Sequence, residues 1–380
     1  MREPQEKKKK IPGIELLRIL AMMMVVTLHY LGKGEILPSM AGEISAVGLW
    51  AWVLETLSIV AVNTYMLISG FFLAESSFRC GRLIQLLCQV LFYSLLVPVL
   101  LMAAGVLDIR EITVYQWLRY ILPTQMAQYW FVTAYVTMYL FSPLLNAAVR
   151  YMKQSQLRLV LILLLLFFSV NKSVLPIRLE MDNLGYDGLW FFCVYLCAAY
   201  LRRYGVRFFA GKPKRGFVCY FASCGGILGL ALASRLVYLK TGRLESVLAA
   251  TYHYNHILNL CGAVSLFYAF SQWKLREGRV SGWIRRIAPY TFGVYLLHEQ
   301  LEIRYLWPRW LGAGRTGLEG NAAAFLWRCL VAVLSVFTVG IFVDWLRGKL
   351  FSWAAGLWKE SRAERLLEKI DGLLAEPEIK

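Results

Sequence analysis

Long apolar segments alternate with short polar ones along almost the whole chain. A helix needs about 20 mostly apolar residues to cross the hydrocarbon core of a bilayer, and ten segments approach this length, the fifth and sixth only with their flanks. The pattern therefore predicts an all-α fold, a polytopic membrane bundle of about ten transmembrane helices. The predicted spans are residues 14–33, 50–73, 83–105, 129–149, 157–171, 188–201, 216–239, 255–273, 287–307 and 321–346.

The composition agrees with a membrane protein. Hydrophobic residues make up 58% of the 380 and charged residues only 17%, whereas soluble domains carry about a quarter charged residues. The first apolar segment contains Arg18 and has no small-x-small cleavage site before its end. It is therefore predicted to be a retained helix and not a cleaved signal peptide.

The net charge of +17 raises the question of nucleic-acid binding. The Lys and Arg residues instead form short clusters in alternate loops between the apolar segments, as the positive-inside rule describes. We therefore expect no nucleic-acid partner, a bilayer environment and both termini in the cytoplasm. The predicted domains are a basic arm (1–13), a transmembrane domain (14–346) and an amphipathic cytoplasmic tail (347–380).

Two ionisable residues, Arg18 and His29, lie inside the first predicted span. Eleven positions apart, they share one helix face to within about 20° and are separated by roughly 16 Å along the axis. Ionisable groups inside a membrane are often functional, and a neutral imidazole can accept a proton from a hydroxyl. Alternatively, Arg18 reaches the headgroups and His29 is an interfacial residue. Glu15 is positioned as a local partner for Arg18.

Polar residues in the second predicted span are further candidates. Glu55 lies at a depth similar to that of His29 and could orient it, while Asn63 and Ser69 could line a cavity or pack against a neighbouring helix. Arg79 and Arg82 follow at the cytoplasmic end. They are either positive-inside anchors or a phosphate clamp, because guanidinium groups match phosphate oxygens.

The ninth predicted span carries a second imidazole. Tyr295 and His298 share a helix face, and Glu299 follows directly. This combination indicates a polar cavity. His253 and His256 form a His-x-x-His pair without a third ligand at a suitable spacing, so no metal site is predicted.

Four motifs, in order, resemble the acyltransferase type 3 family of bacterial membrane O-acyltransferases over about residues 11–350. The segment from Arg18 to His29 resembles the family's Arg-x10-His signature. The motifs that follow are Asn63–Leu73 with its Ile-Ser-Gly-Phe, 129–146 with Trp130-Phe and a later Pro, and 291–298 with Tyr-Leu-x-His.

The resemblance implies a multi-pass enzyme of the bacterial plasma (inner) membrane. It would move an acyl group, usually acetyl, from cytoplasmic acyl-CoA to a hydroxyl of a cell-surface or lipid-linked glycan, without a tightly bound cofactor. His29 would take the catalytic role with Arg18 near the donor, and Arg79 and Arg82 would bind coenzyme A phosphates.

The motif match adds His298 to the catalytic candidates. The expected cavity residues are Glu55, Asn63, Ser69, Trp130, Tyr295 and Glu299. The sequence does not choose between His29 as general base and His29 as transient acyl carrier. Two other functions stay open, a transporter or flippase of lipid-linked glycans and a non-catalytic membrane scaffold. The oligomeric state is not predicted.

Overall fold

The structure is a computed structural model that describes residues 11–177, 182–243, 245–313, 321–358 and 362–373. Within these ranges the regular elements are helical and none is a strand, which confirms the all-α prediction. The α-helices are α1 (Pro12–Lys33), α2 (Ala46–Ser58), α3 (Ala61–Leu73), α4 (Cys80–Ala103), α5 (Val114–Ile121), α6 (Trp130–Tyr151), α7 (Gln154–Leu165), α8 (Asn171–Val174), α9 (Gly188–Tyr204), α10 (Pro213–Thr241), α11 (Ile257–Ser271), α12 (Arg279–Ile287), α13 (Thr291–His298), α14 (Leu306–Trp310), α15 (Ala322–Trp358) and α16 (Arg362–Leu373).

Seven helical segments of the described residues are long and apolar enough to cross a membrane, and each coincides with a predicted span. The chain is therefore a multi-pass membrane protein. Helices α9 and α11, on two other predicted spans, have 17 and 15 residues, so the count of about ten stays a prediction. The seven segments are Pro12–Lys33, Ala46–Leu73, Cys80–Ala103, Trp130–Tyr151, Gln154–Val174, Pro213–Thr241 and Ala322–Gly356.

The predicted span 287–307 differs from the structure because it is not one continuous helix. Helix α13 ends at His298, Glu299 is its C-cap, and turns lead from there to α14. Glu299 therefore lies at a helix end and not in the interior of a span. A helix end is a suitable place for a charged side chain that must reach partners on other elements.

The span Ala46–Leu73 consists of two helices joined at Ile59 and Val60. Thr56 and Thr64 flank this junction, and each hydroxyl donates to the carbonyl four residues earlier, at 2.7 and 2.8 Å. Such bonds frequently accompany bends in helices. Helix α2 contributes Glu55 to one cavity and α3 contributes Ser69 to another.

Helix α1 packs against α2, α3, α11, α12, α13 and α15, so its residues face the interior of the bundle. Small residues allow close approach of the helices around it. A Cβ added to Gly70 of α3 would lie 2.8 Å from the Cβ of Ala198 in α9. A Cβ on Gly340 of α15 would lie 2.8 Å from the Cα of Val294 in α13. These contacts fix α3 against α9 and α13 against α15.

A buried carboxylate joins α4 to α15. Asp344 accepts hydrogen bonds from the Tyr93 hydroxyl at 2.9 Å and from Gln89 Nε2 at 3.0 Å, both on α4. Arg347, one turn later on α15, donates to the same carboxylate from Nε at 2.6 Å and from Nη2 at 3.0 Å. Gly293 of α13 presses against this cluster, since a Cβ there would lie 2.3 Å from Asp344. The cluster therefore also positions α13, which carries His298.

The structure describes only part of each predicted terminal domain. Residues 1–10 of the predicted basic arm lie outside the described residues, as do residues 359–361 and 374–380 of the predicted tail. Helix α16 lies within the predicted tail, and its Asp371 carboxylate accepts a hydrogen bond from the Cys80 N–H at 2.6 Å. The cytoplasmic orientation of both ends stays a prediction.

Candidate active site

Three cavities follow one another beside α1. We call them the Arg18 cavity (about 300 Å³), the central pocket (about 30 Å³) and the Glu55 cavity (about 520 Å³). The first two share Tyr65, Phe131 and Phe292, so they are neighbours. The central pocket and the Glu55 cavity share His29 and Trp130, among others. His29 therefore lines both the small central pocket and the wide Glu55 cavity.

The Arg18 cavity contains two guanidinium groups. Arg18 from α1 and Arg82 from α4 both line it, together with Ser69. Arg18 Nη1 contacts Glu15 Oε2 at 3.0 Å, the local partner that the sequence indicated. The Arg18 carbonyl accepts a hydrogen bond from the Tyr65 hydroxyl at 2.9 Å. The contacts with Glu15 and Tyr65 thus hold Arg18 in place, and Arg18 and Arg82 both line the cavity.

His29 and His298 form the centre of the site, although they are 269 positions apart in the sequence. His29 Nδ1 lies 2.8 Å from His298 Nε2. His298 Nδ1 lies 2.6 Å from the Val294 carbonyl oxygen, one turn earlier on α13. Glu299 Oε2 lies 3.3 Å from His29 Nδ1. Two imidazoles and one carboxylate therefore share a single cluster.

Two cations surround Glu299, whose side chain is only 5% exposed. Lys33 Nζ contacts Glu299 Oε1, and Arg304 Nη1 lies 3.7 Å from the same oxygen. Lys33 follows His29 by one helical turn on α1, whereas Arg304 comes from the turns after α13. One carboxylate therefore faces two positive charges beside His29.

The Glu55 cavity combines aromatic faces with an unpaired carboxylate oxygen. Trp130 and Tyr254 stack with ring centroids 5.6 Å apart, and Tyr186 meets Tyr254 at 4.6 Å. Glu55 Oε2 has no hydrogen-bond partner among the residues that the structure describes. A buried acceptor of this kind is suited to a ligand that brings a hydroxyl or amide donor.

The structure brings most of the sequence-predicted residues to these cavities. Ser69 lines the first, Tyr295 the central pocket, Trp130 the second and third, and Glu55 and Glu299 the third. His298 reaches the cluster through His29.

Besides His298, two predicted site residues line none of the three cavities. Asn63 is fully buried and bonds to protein on both sides, since its Nδ2 donates to the Tyr254 carbonyl at 2.7 Å and its Oδ1 accepts from Trp190 Nε1 at 2.9 Å. It supports the cavity wall from behind. Arg79 is the N-cap of α4, and its backbone exchanges hydrogen bonds with the Tyr139 hydroxyl. It lies next to the Arg18 cavity because Tyr139 is part of that wall.

Lys33 and Arg304 were not predicted from the sequence. Lys33 could have been found, because the spacing of four from His29 places it on the same helix face. Arg304 also lies inside a predicted span, 287–307, and could have been a candidate on that ground. Its approach to Glu299 depends on the turns after α13 and therefore on the tertiary fold.

Apolar spanning helices around a buried histidine–carboxylate cluster define a multi-pass membrane protein with a candidate acid–base centre. The family model described as "Acyltransferase domain" matches residues 11–345. The chain therefore belongs to the acyltransferase type 3 family, which confirms the resemblance found in the four motifs. No match was found among curated proteins or among solved structures.

Proposed function

We propose that the protein is an O-acyltransferase that moves an acetyl group from acetyl-CoA to a hydroxyl of a cell-surface or lipid-linked glycan. The proposed location is the plasma membrane of a bacterium, with the Arg18 cavity facing the cytoplasm. One observation carries the proposal: His29 lines both the central pocket, which neighbours the Arg18 cavity, and the wide Glu55 cavity. A donor from one side and an acceptor from the other would meet at this imidazole.

The Arg18 cavity suits the donor. Arg18 and Arg82 can pair with the phosphates of coenzyme A, because guanidinium groups bind phosphate oxygens in a bidentate way. Arg18 and His29 are about 16 Å apart along α1, a distance that an extended pantetheine arm can span. The thioester would then lie in the central pocket, whose volume of about 30 Å³ favours a small acyl group such as acetyl.

His29 can act in the transfer in two ways. As general base, His29 Nε2 takes the proton of the acceptor hydroxyl while the oxygen attacks the thioester carbonyl. The C–S bond breaks, an ester C–O bond forms, and the proton passes to the departing sulfur to give the free thiol. As acyl carrier, the same nitrogen attacks the thioester carbonyl, the C–S bond breaks and the thiolate leaves. The acceptor oxygen then attacks the acetyl-imidazolium, the C–N bond breaks, and the hydroxyl proton passes to the thiolate. Both routes begin with an unprotonated Nε2.

The Glu55 cavity suits the acceptor. Aromatic faces such as those of Trp130 and Tyr254 can stack on the apolar face of a sugar ring, and the unpaired Glu55 oxygen can accept from its hydroxyls. The cavity volume of about 520 Å³ lies within the range of ligand sites, about 300–1,000 Å³.

A transporter would need a passage wide enough for its cargo. The central pocket of about 30 Å³ holds about two or three water molecules, given that a water needs at least about 10–15 Å³ of such volume. A sugar cannot pass there without a rearrangement of Tyr65, Phe131 and Phe292. The pocket dimensions therefore favour group transfer over transport.

The test uses inverted membrane vesicles from the source cells, with the chromosomal copy deleted and the full chain supplied from a plasmid. Radiolabelled acetyl-CoA is added, and both free thiol and alkali-labile label in the glycan fraction are measured. We expect His29→Ala to lower transfer by at least about 100-fold, the lower end of the contribution of general acid–base catalysis.

The matched control is His256→Gln, which also alters a buried histidine but one that lines none of the three cavities. Equal amounts of inserted protein are verified for each variant. Wild-type transfer that persists in His29→Ala would remove His29 from the mechanism. Wild-type vesicles that move glycan across the membrane without acetyl-CoA, and transfer no label to it, would favour the transporter.

A further inference from the structure

A chain of polar contacts begins at a backbone carbonyl and ends at His29. The Val294 oxygen has no hydrogen to give, so it can only accept. His298 Nδ1 lies 2.6 Å from it, and a bare Nδ1 at that distance would set two lone pairs against each other. The hydrogen of His298 is therefore on Nδ1.

The tautomer of His298 determines that of His29. His298 is 2% exposed, and burial favours the neutral imidazole, in which only one nitrogen carries a hydrogen. His298 Nε2 is then an acceptor. Because His29 Nδ1 lies 2.8 Å from it, His29 Nδ1 must carry the hydrogen and donate it.

Glu299 reinforces this assignment. Its Oε2 lies 3.3 Å from His29 Nδ1 and has no hydrogen bond of its own to a described residue. Two acceptors, an imidazole nitrogen and a carboxylate oxygen, thus converge on one ring nitrogen. A lone pair on Nδ1 would face both of these acceptors, so a hydrogen on Nδ1 is favoured.

We infer that His298 is a positioning residue that holds His29 in the tautomer with a bare Nε2, so that Nε2 is the reacting nitrogen. The inference rests on the proposed function and adds the nitrogen that acts and the residue that selects it. His29 Nε2 has no hydrogen bond to the described residues, and the side chain lines both the central pocket and the Glu55 cavity. His298 itself need not contact either substrate.

The test compares two replacements of His298 in the transfer assay described above. Leucine fills similar space but offers no acceptor, whereas glutamine carries an acceptor oxygen for His29 and a donor for Val294. In the serine-protease triad, loss of the tautomer-fixing group lowers kcat by about 10⁴-fold. We expect His298→Leu to lower kcat by about 10²–10⁴-fold and His298→Gln by less than about 10-fold. The KM for acetyl-CoA should change by less than about threefold in both, because uniform substrate binding is left intact.

His256→Gln again controls for loss of a buried histidine, and thermal unfolding of the purified variants reports folding. A structural role would lower activity in proportion to folded protein and would not separate glutamine from leucine. Equal kcat values for the two variants, whether high or low, would overturn the inference while leaving His29 as the centre of the proposed function. A wild-type protein without acetyl-CoA-dependent transfer would overturn the proposed function, and this inference with it.

Discussion

The substitution Glu299→Gln tests the charge balance around His29. The change keeps the shape of the side chain and removes one negative charge beside Lys33 and Arg304. In the proposed reaction His29 becomes positively charged in the transition state, whether it takes a proton or an acyl group. Without Glu299 that charge would develop next to two cations and no anion, so we expect slower chemistry and unchanged donor binding.

The magnitude follows from the geometry. Unit charges at the separation of 3.3 Å between Glu299 Oε2 and His29 Nδ1 interact by about 5 kcal/mol at an effective dielectric constant of about 20. Glutamine still presents an amide dipole, so the net loss should approach that of a hydrogen bond to a charged group, about 1.5–3 kcal/mol. This corresponds to a reduction in kcat of about 10- to 150-fold.

The assay is acetyl transfer in inverted vesicles, with kcat and the KM for acetyl-CoA determined separately. Glu302→Gln is the matched control, since Glu302 accepts a hydrogen bond from the Tyr120 hydroxyl at 2.5 Å and does not contact His29. Adding Lys33→Met to Glu299→Gln removes one uncompensated cation and should recover part of the rate. A loss that appears in KM alone, or an equal loss in Glu302→Gln, would refute the electrostatic role of Glu299.

Three further substitutions probe the donor site and the scaffold. Arg82→Ala should raise the KM for acetyl-CoA about fivefold with little change in kcat, since an exposed ion pair contributes up to about 1 kcal/mol; an unchanged KM would place the phosphates elsewhere. Gly70→Leu should lower the unfolding temperature, because a Cβ at this position would already lie 2.8 Å from Ala198, and overpacking typically costs about 1–3 kcal/mol; wild-type stability would show that α3 and α9 separate easily. Asp344→Ala leaves Arg347 buried without its carboxylate, a change that typically costs about 3–5 kcal/mol, and thermal unfolding should show it; restoration of stability by a second change, Arg347→Met, would identify the unpaired charge as the cause, and no restoration would contradict it.

The spanning helices and the Arg18–His29 axis could be predicted because both depend on local sequence. The length of an apolar segment is set by the thickness of the bilayer, and the shared face of two residues on one helix is set by its period. The break after His298 was missed for a related reason. Hydropathy averaged over a window of about 20 residues does not detect the few turns at 299–305, which follow the end of α13 at His298.

The contact between His29 and His298 could not be predicted in the same way. Each histidine was a candidate by itself, but their 2.8 Å contact depends on the packing of α1 against α13. That packing rests in turn on distant features, the close approach at Gly340 and the cluster around Asp344. The sequence pattern therefore identifies which residues are suited to acid–base chemistry, whereas the choice of the reacting nitrogen requires the tertiary fold. For this reason Asp344 has an indirect part in the proposed mechanism: it helps to fix α13, α13 carries His298, and His298 orients the proton on His29.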